Sequence, residues 1–208
     1  MTRKTEARDR AIATAERLFR QQGYAATGLA QIIEESGSPK GSFYFHFPQG
    51  KAQLAEAAVD LYMRDNAISL QRIAELTAGD AEGFVRQLFD ALAEEMTSGD
   101  FQSGCLLQTL ANEPSAQATA LAERVARGFE DWIAFVAEHL KGCGFTAAQA
   151  LATGSALVAA LEGARTIARA QRSAAIYQEL ADIFCRGLSG RDGPDDPAAL
   201  ARPATRAR

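Results

Sequence analysis

The chain has 208 residues and a mass of 22.2 kDa, is 47% hydrophobic and 23% charged, and holds only 6 Pro and 17 Gly. Those proportions exclude a disordered or collagen-like protein and leave enough apolar residues for a sizeable core. The net charge of −4 is unevenly spread: residues 1–51 carry eight Lys/Arg and five Asp/Glu (+3), the rest fourteen and twenty-one (−7), a basic head suited to a polyanion on an acidic body.

Alanine occurs 43 times against 9 Ile and 5 Val. Ala loses no side-chain entropy in a helix, whereas β-branched residues suit sheets, so the expected class is all-α. The elements follow in order. A first helix covers 5–22, with Ala11, Ile12, Ala15, Leu18 and Phe19 in one stripe, and Gly23 ends it. Thr27 is placed to cap a second, short helix carrying Leu29, Ile32 and Ile33, which Gly37-Ser38-Pro39 breaks. A third covers 40–47 and stops at Pro48-Gln49-Gly50. Two helices of this length, joined by a Gly-containing turn and preceded by a longer one, make a helix-turn-helix.

The body continues with a helix at 51–78, whose stripe includes Leu54, Ala58, Leu61, Tyr62, Ile68 and Ile73. Asp80 caps the next, to about Met96; a loop at 97–103 and a short helix at 105–111 precede Pro114. A long helix opens at Ser115 and ends at Gly142, Thr146 caps an alanine-rich helix to about Ala170, and the last covers 173–188. That makes nine helices: a head at 1–50, a body at 51–188 and an expected disordered tail at 189–208. Residues 142–161 carry no charge, but Thr146, Gln149, Thr153 and Ser155 among many alanines argue for a packed helix rather than a membrane span. Three cysteines without a Cys-x-x-C pair indicate neither a disulfide framework nor a zinc site, and with no secretory signal they point to the cytoplasm.

The segment from Gly37 to Pro48 is the informative one. Lys40 and the amides opening the third helix can meet phosphate, and Gly41 permits close backbone approach. Ser42, Tyr44 and His46 offer short hydrogen-bonding groups to phosphates or base edges, and Lys51 lies within reach of the same strand. Phe43 and Phe47, spaced i, i+4, anchor the helix inward. The competing reading is an aromatic core helix with one surface lysine.

Thr27, Ile32, Gly37, Lys40, Gly41, Tyr44 and Phe47 match the pattern by which residues 8–54 resemble the DNA-binding domain of the TetR/AcrR family of transcriptional regulators. Departures are Ser38 at a usually apolar place, Pro39 at a usually polar one, Phe43 for a common Leu, Ala30 without a polar side chain, and one extra residue before Lys51. Together with Ser103-Gly104-Cys105-Leu106 and Leu161-Glu162-Gly163-Ala164-Arg165, these variations resemble the LmrA/YxaF-like branch. The resemblance implies a homodimeric repressor that binds a palindromic DNA operator through Thr27, Lys40, Gly41, Ser42, Tyr44, His46 and Lys51, and that a small hydrophobic effector releases. It implies an effector pocket among the middle helices, with Leu88, Leu92, Cys105, Leu106, Phe129, Trp132, Ile133 and Val136 as candidates. It also implies a dimer interface on the last two helices, at Ala156, Ala160, Gly163, Ala164, Ile176 and Leu180, where small residues allow close helix approach.

Glu162 interrupts an apolar helix and is expected to pair with Arg165, in a structural or dimer contact ahead of a ligand anchor. Cys105 reads as a small buried hydrophobe ahead of a thiol sensor. Neither His46 nor His139 follows a Glu by three positions, no Gly-x-Ser-x-Gly elbow occurs, and Gly50-Lys51 lacks the upstream Gly of a phosphate loop. The chain is therefore expected to be neither enzyme nor metalloprotein and to need no cofactor. The rival reading is a helical ligand-binding or thiol-sensing protein whose head binds a protein partner, which would have no need of a basic head.

Overall fold

The computed structural model describes residues 3–102, 104–113 and 119–189. Among them are nine helices and no strand: α1 (Arg3–Gln22), α2 (Leu29–Glu35), α3 (Lys40–His46), α4 (Lys51–Leu76), α5 (Ala81–Ser98), α6 (Leu106–Ala111), α7 (Thr119–Gly142), α8 (Ala147–Gln171) and α9 (Ala175–Ser189). The expected helix start at Ser115 and the tail from 190 onward lie outside the described residues.

Several helix limits follow from side-chain chemistry. Asp80 caps α5 by accepting from the Gly83 amide at 2.9 Å. Thr146 and Gln149 close a reciprocal capping box on α8. The turn glycines Gly23 (φ +89°) and Gly37 (φ +61°) occupy the left-handed region that side chains resist. At Gly23 a Cβ would also stand 2.5 Å from Glu113 Oε1, so a side chain there would push that carboxylate aside as well as strain the backbone.

Three expectations are corrected. Thr27 caps nothing: Gly28 is the N-cap of α2 and makes no side-chain cap bond. The fully buried Thr27 hydroxyl instead donates to the Gly23 carbonyl at 2.6 Å and accepts from Gln22 at 3.2 Å. Ile68 belongs to no stripe, being 65% exposed. The inward face of α4 runs through Tyr62, Asn66, Ser69 and Ile73, and Ile68 lies roughly opposite Asn66 on a helix turning about 100° per residue. Finally, α5 continues to Ser98, into the expected loop.

Two apolar clusters carry the packing. One joins the head to the body: Phe19, Ile32, Phe43 and Phe47 pack with Leu54, Tyr62, Leu106 and Leu121, so it runs across residue 50 without a seam. The other gathers Phe84, Phe89, Met96, Leu140, Leu157 and Tyr177 from α5, α7, α8 and α9. Between α7 and α8 the approach is close enough that a Cβ on Gly154 would lie 3.1 Å from the Ile133 carbonyl oxygen and 3.4 Å from the Ala137 nitrogen. Small residues of α8 thus serve contact inside the chain as well as its outer face. No described helix is long and apolar enough to cross a membrane.

The contact at Gly154 sets a prediction. Gly154→Val forces a methyl-bearing carbon against a neighbouring backbone, and overpacking of this kind costs about 1–3 kcal/mol. Urea unfolding should show a lower midpoint; an unchanged midpoint would mean that α7 and α8 can separate freely.

Candidate nucleic-acid interface and interior cavity

The third helix is held by its aromatics. Phe43 and Phe47 are buried, with ring centroids 5.2 Å apart; they fix α3 against α1 and share an apolar cluster with Leu54. Ser38, at a position where an apolar residue was the expectation, is buried too, and its hydroxyl donates to the Ala7 carbonyl at 2.9 Å. That bond satisfies the polar group and ties the α2–α3 turn to α1.

Anchored this way, α3 turns Lys40, Gly41, Tyr44 and Phe45 outward. Tyr44 is 53% and Phe45 70% exposed, and nothing comes within 4 Å of a Cβ built on Gly41. Ser42 and His46 are half-buried, and the His46 Nε2 is enclosed. Lys51 folds over Tyr24, its ammonium 4.2 Å from the ring centroid, and burial lowers its pKa. Thr27, buried and internally bonded, presents no group to an outside partner, which corrects its assignment to the DNA surface. Phe45 escaped the sequence reading because only polar residues and the anchoring pair were weighed in that helix.

Within the body, α4, α5, α7 and α8 border a half-open apolar cavity of about 100 Å³. Leu88, Leu92, Trp132 and Val136, four of the expected residues, line it, with Leu70, Ile73, Val158 and Leu161. A polar vestibule of about 350 Å³, lined by Glu16, Arg20, Tyr62, Asp65 and Glu95, shares Asn66, Ser69, Ala91 and Leu92 with it.

Four expected lining residues lie elsewhere. Cys105 is the N-cap of α6, and its sulfur accepts from the Gln108 amide at 3.4 Å. Leu106 sits in the head-facing cluster; Phe129 packs edge-on to Trp132 with centroids 5.9 Å apart; Ile133 turns its carbonyl to Gly154. Burial pushes the Cys105 thiol up to about 12, which leaves no thiolate for redox sensing at neutral pH.

Charged side chains gather where the cavity meets the head. Glu95 of α5 accepts from Arg20 of α1 and, at 3.0 Å, from Arg165 of α8. Arg20 also donates to the Gly104 carbonyl at 2.6 Å and to Glu16 at 3.1 Å. Burial pushes the Glu95 carboxyl up, but the Arg165 and Arg20 guanidiniums outweigh it and hold the group below the usual carboxylate range. The expected Glu162–Arg165 pair is therefore not formed as drawn: Arg165, 4% exposed, gives its Nη1 to Glu95. Glu162 lies on the cavity wall, its Oε2 enclosed without a hydrogen-bond partner, and burial raises its pKa with only partial relief from Arg165.

The outer face of α8 and α9 is apolar. Ile167 is 40% and Ile183 55% exposed, and a shallow groove passes Ala152, Ala156, Phe184 and Gly187. Of the residues expected at a dimer contact, Ala156 and Gly163 are on this face, while Ala160, Ile176 and Leu180 are half-buried against the inner cluster. Ala164, 1% exposed, faces inward and cannot touch a second chain.

With this geometry in hand, comparison with known proteins is informative. Residues 11–58 match the family described as bacterial regulatory proteins, tetR family, and residues 81–183 match the transcriptional regulator LmrA/YxaF-like C-terminal domain. The HTH-type transcriptional regulator LmrA of Bacillus subtilis is 34% identical over 158 residues, 76% of this chain and 84% of that protein. The HTH-type transcriptional repressor NemR of Escherichia coli is 29% identical over 147 residues, 68% of this chain and 71% of that protein. Among solved structures, a regulatory protein TetR from Rhodobacter sphaeroides superposes with a TM-score of 0.75 at 23% identity, covering 86% of this chain and 97% of its own. The reduced form of Escherichia coli NemR gives 0.73 at 23% identity, with coverage of 86% and 95%.

The unpaired carboxylate has a measurable consequence. A carboxyl whose folded-state pKa is raised destabilises the fold above that pKa, and the penalty fades as pH falls toward the unfolded value. Glu162→Gln should therefore raise the thermal midpoint at neutral pH, by roughly 1 kcal/mol in stability, with the gain vanishing in acid. Equal midpoints at all pH values would mean that Glu162 is fully solvated.

Proposed function

The chain belongs to the TetR family of bacterial transcriptional regulators, and from that premise we propose that it is a cytoplasmic homodimeric repressor, released from a palindromic operator by a small molecule bound in its body. Residues 1–50 act as the DNA-binding head and 51–188 as the effector-binding and dimerising body. The observation that carries the reading is the Arg20–Glu95–Arg165 bridge, which joins the first helix of the head to the wall of the cavity through one carboxylate.

In the operator complex α3 enters the major groove. Lys40 meets phosphate, Gly41 admits the backbone closely, and Tyr44 with Ser42 addresses base edges or sugar-phosphate oxygens. Phe45 adds an apolar surface of the kind that contacts a thymine methyl. Lys51 and His46 serve mainly to hold the head together, through the Tyr24 stack and the enclosed His46 ring. A second copy packs on the α8–α9 face through Ala156, Ile167 and Ile183, setting two α3 helices against successive major grooves, about 34 Å apart.

Release follows from differential binding. An effector that prefers a different spacing of α4, α5 and α8 moves Glu95 relative to Arg20, and the head turns with α1. The names of relatives such as the repressor NemR support repression over activation.

Two experiments test this reading. Fluorescence anisotropy with DNA from upstream of the gene should show saturable, sequence-preferring binding, and Lys40→Ala should weaken it and flatten the log–log salt slope by about 0.9 per lysine, roughly 2 per dimer. An unchanged slope removes Lys40 from the phosphate contact, and no binding at low salt removes the DNA reading. Ile183→Glu buries a charge in the proposed contact and should give monomers in sedimentation at micromolar concentration. A persistent dimer would move the interface off α9.

A further inference from the structure

The cavity carries information about its ligand beyond size. Its wall is hydrocarbon from Leu70, Ile73, Leu88, Leu92 and Val136, interrupted by three polar atoms that are enclosed and unpartnered: the acceptor Glu162 Oε2 and the donors Trp132 Nε1 and Arg165 Nε. A buried carboxylate oxygen without a donor costs free energy that the empty protein has no means of recovering. The Cys105 thiol is close enough to ease the charge on Glu162, but thiols are weak donors. Arg165 is the cation in the cavity wall; its Nη1 is committed to Glu95, and its Nε, enclosed without a partner, makes no bond to Glu162.

Charge across the two connected spaces points the same way. Cavity and vestibule are lined by four carboxylates, Glu16, Asp65, Glu95 and Glu162, against two guanidiniums, Arg20 and Arg165. Both guanidiniums bond Glu95, and Arg20 bonds Glu16 as well. An anion entering this space would meet Glu162 and the carboxylate excess, with only the buried Arg165 Nε left open on these guanidiniums. A neutral donor could satisfy Oε2 but would leave the excess negative charge uncompensated. A protonated amine does both, and Trp132 offers an aromatic face beside it.

Resting on the reading of this cavity as the effector site, we propose that its ligand is an amphiphilic amine, with an apolar ring or short alkyl group in the chamber beside Trp132 and a protonated nitrogen hydrogen-bonded to Glu162. The cavity of about 100 Å³ limits the inserted group to about one ring, while larger substituents extend through Asn66 and Ser69 into the vestibule. The ammonium then forms a charge-assisted bond on a largely apolar wall, where such bonds are stronger than in water.

Trp132 is the sole tryptophan of the chain, so its fluorescence reports this cavity alone. Three ligands of one shape test the proposal: phenethylamine, phenethyl alcohol and phenylacetate, titrated against the full-length protein at neutral pH. The amine should bind about tenfold more tightly than the alcohol, with phenylacetate weakest, and in Glu162→Gln the amine and alcohol affinities should converge. The wild-type comparison stands even if the variant misfolds. Equal binding of amine and alcohol by the wild-type protein, or a preference for phenylacetate, overturns the amine while leaving the effector cavity in place. Silence of all three ligands, in protein that still binds its operator DNA, overturns the cavity reading with it.

Discussion

One carboxylate holds three helices of different parts of the molecule in register. Glu95 is on α5, its partners Arg20 and Arg165 on α1 and α8, and no apolar contact does the same work at that point, because the vestibule opens between α1, α4 and α5. The two ends of the bridge differ in kind. Arg165 is 4% exposed and Arg20 16%, so removing Glu95 strands a nearly dry guanidinium, a loss on the order of 3–5 kcal/mol, and a wetter one whose loss is smaller. The geometry of the cavity wall and the orientation of α1 are thereby set by the same group. A body that merely stacked on a head through hydrocarbon would tolerate sliding; one tied through a bidentate charge has discrete arrangements.

Other polar links stiffen the same junction. Glu113, just past α6, accepts from the Tyr24 and Ala25 amides at 2.6 Å each, and Arg20 donates to the Gly104 carbonyl. The turn after α1 is therefore gripped from α6 while α1 itself is gripped from α5. Motion of α5 against α6 must bend or rotate the head, because its first helix and its first turn are held by different elements of the body. This is the physical content of coupling here: two attachment points, one of which borders the cavity.

The sequence made the helices legible for reasons visible in the caps and stops. Asp80 and Thr146 were readable as caps because their acceptors sit where an amide three residues on is unsatisfied, and Gly23 and Gly37 as stops because the chain turns left-handed there. The outward face of α3 was legible through its spacing of aromatics. Thr27 was not, since a hydroxyl before a helix reads as a cap whether it points forward to an amide or back to the Gly23 carbonyl. The cavity was half legible. Leu88, Leu92, Trp132 and Val136 lie on apolar stripes, but Asn66 and Ser69 are polar residues on an inward face, and such positions look like solvent in a hydropathy pattern. Ile68 took their place in the stripe for the same reason. The Glu95 bridge depends on partners 75 and 70 residues away along the chain, and no local pattern announces a contact of that separation.

The alanine-rich α8 draws these constraints together. Its inner small residues, Ala150 and Gly154, let α7 approach to backbone contact, which brings the α7 residues Trp132 and Val136 beside Val158, Leu161 and Glu162. Its outer residues, Ala152, Ala156 and Gly163, leave a smooth face with Ile167 protruding. Bulk on the inner side would widen the α7–α8 spacing and open the cavity; bulk on the outer side would leave the cavity intact and alter only what can pack outside. The charge-free stretch that resembles a membrane span in composition is thus a helix whose inner face is committed to close packing and whose outer face carries small uncharged residues. Its first charged residues, Glu162 and Arg165, stand where close packing gives way to the cavity, one with an unpartnered oxygen and one tied through Glu95 to the head.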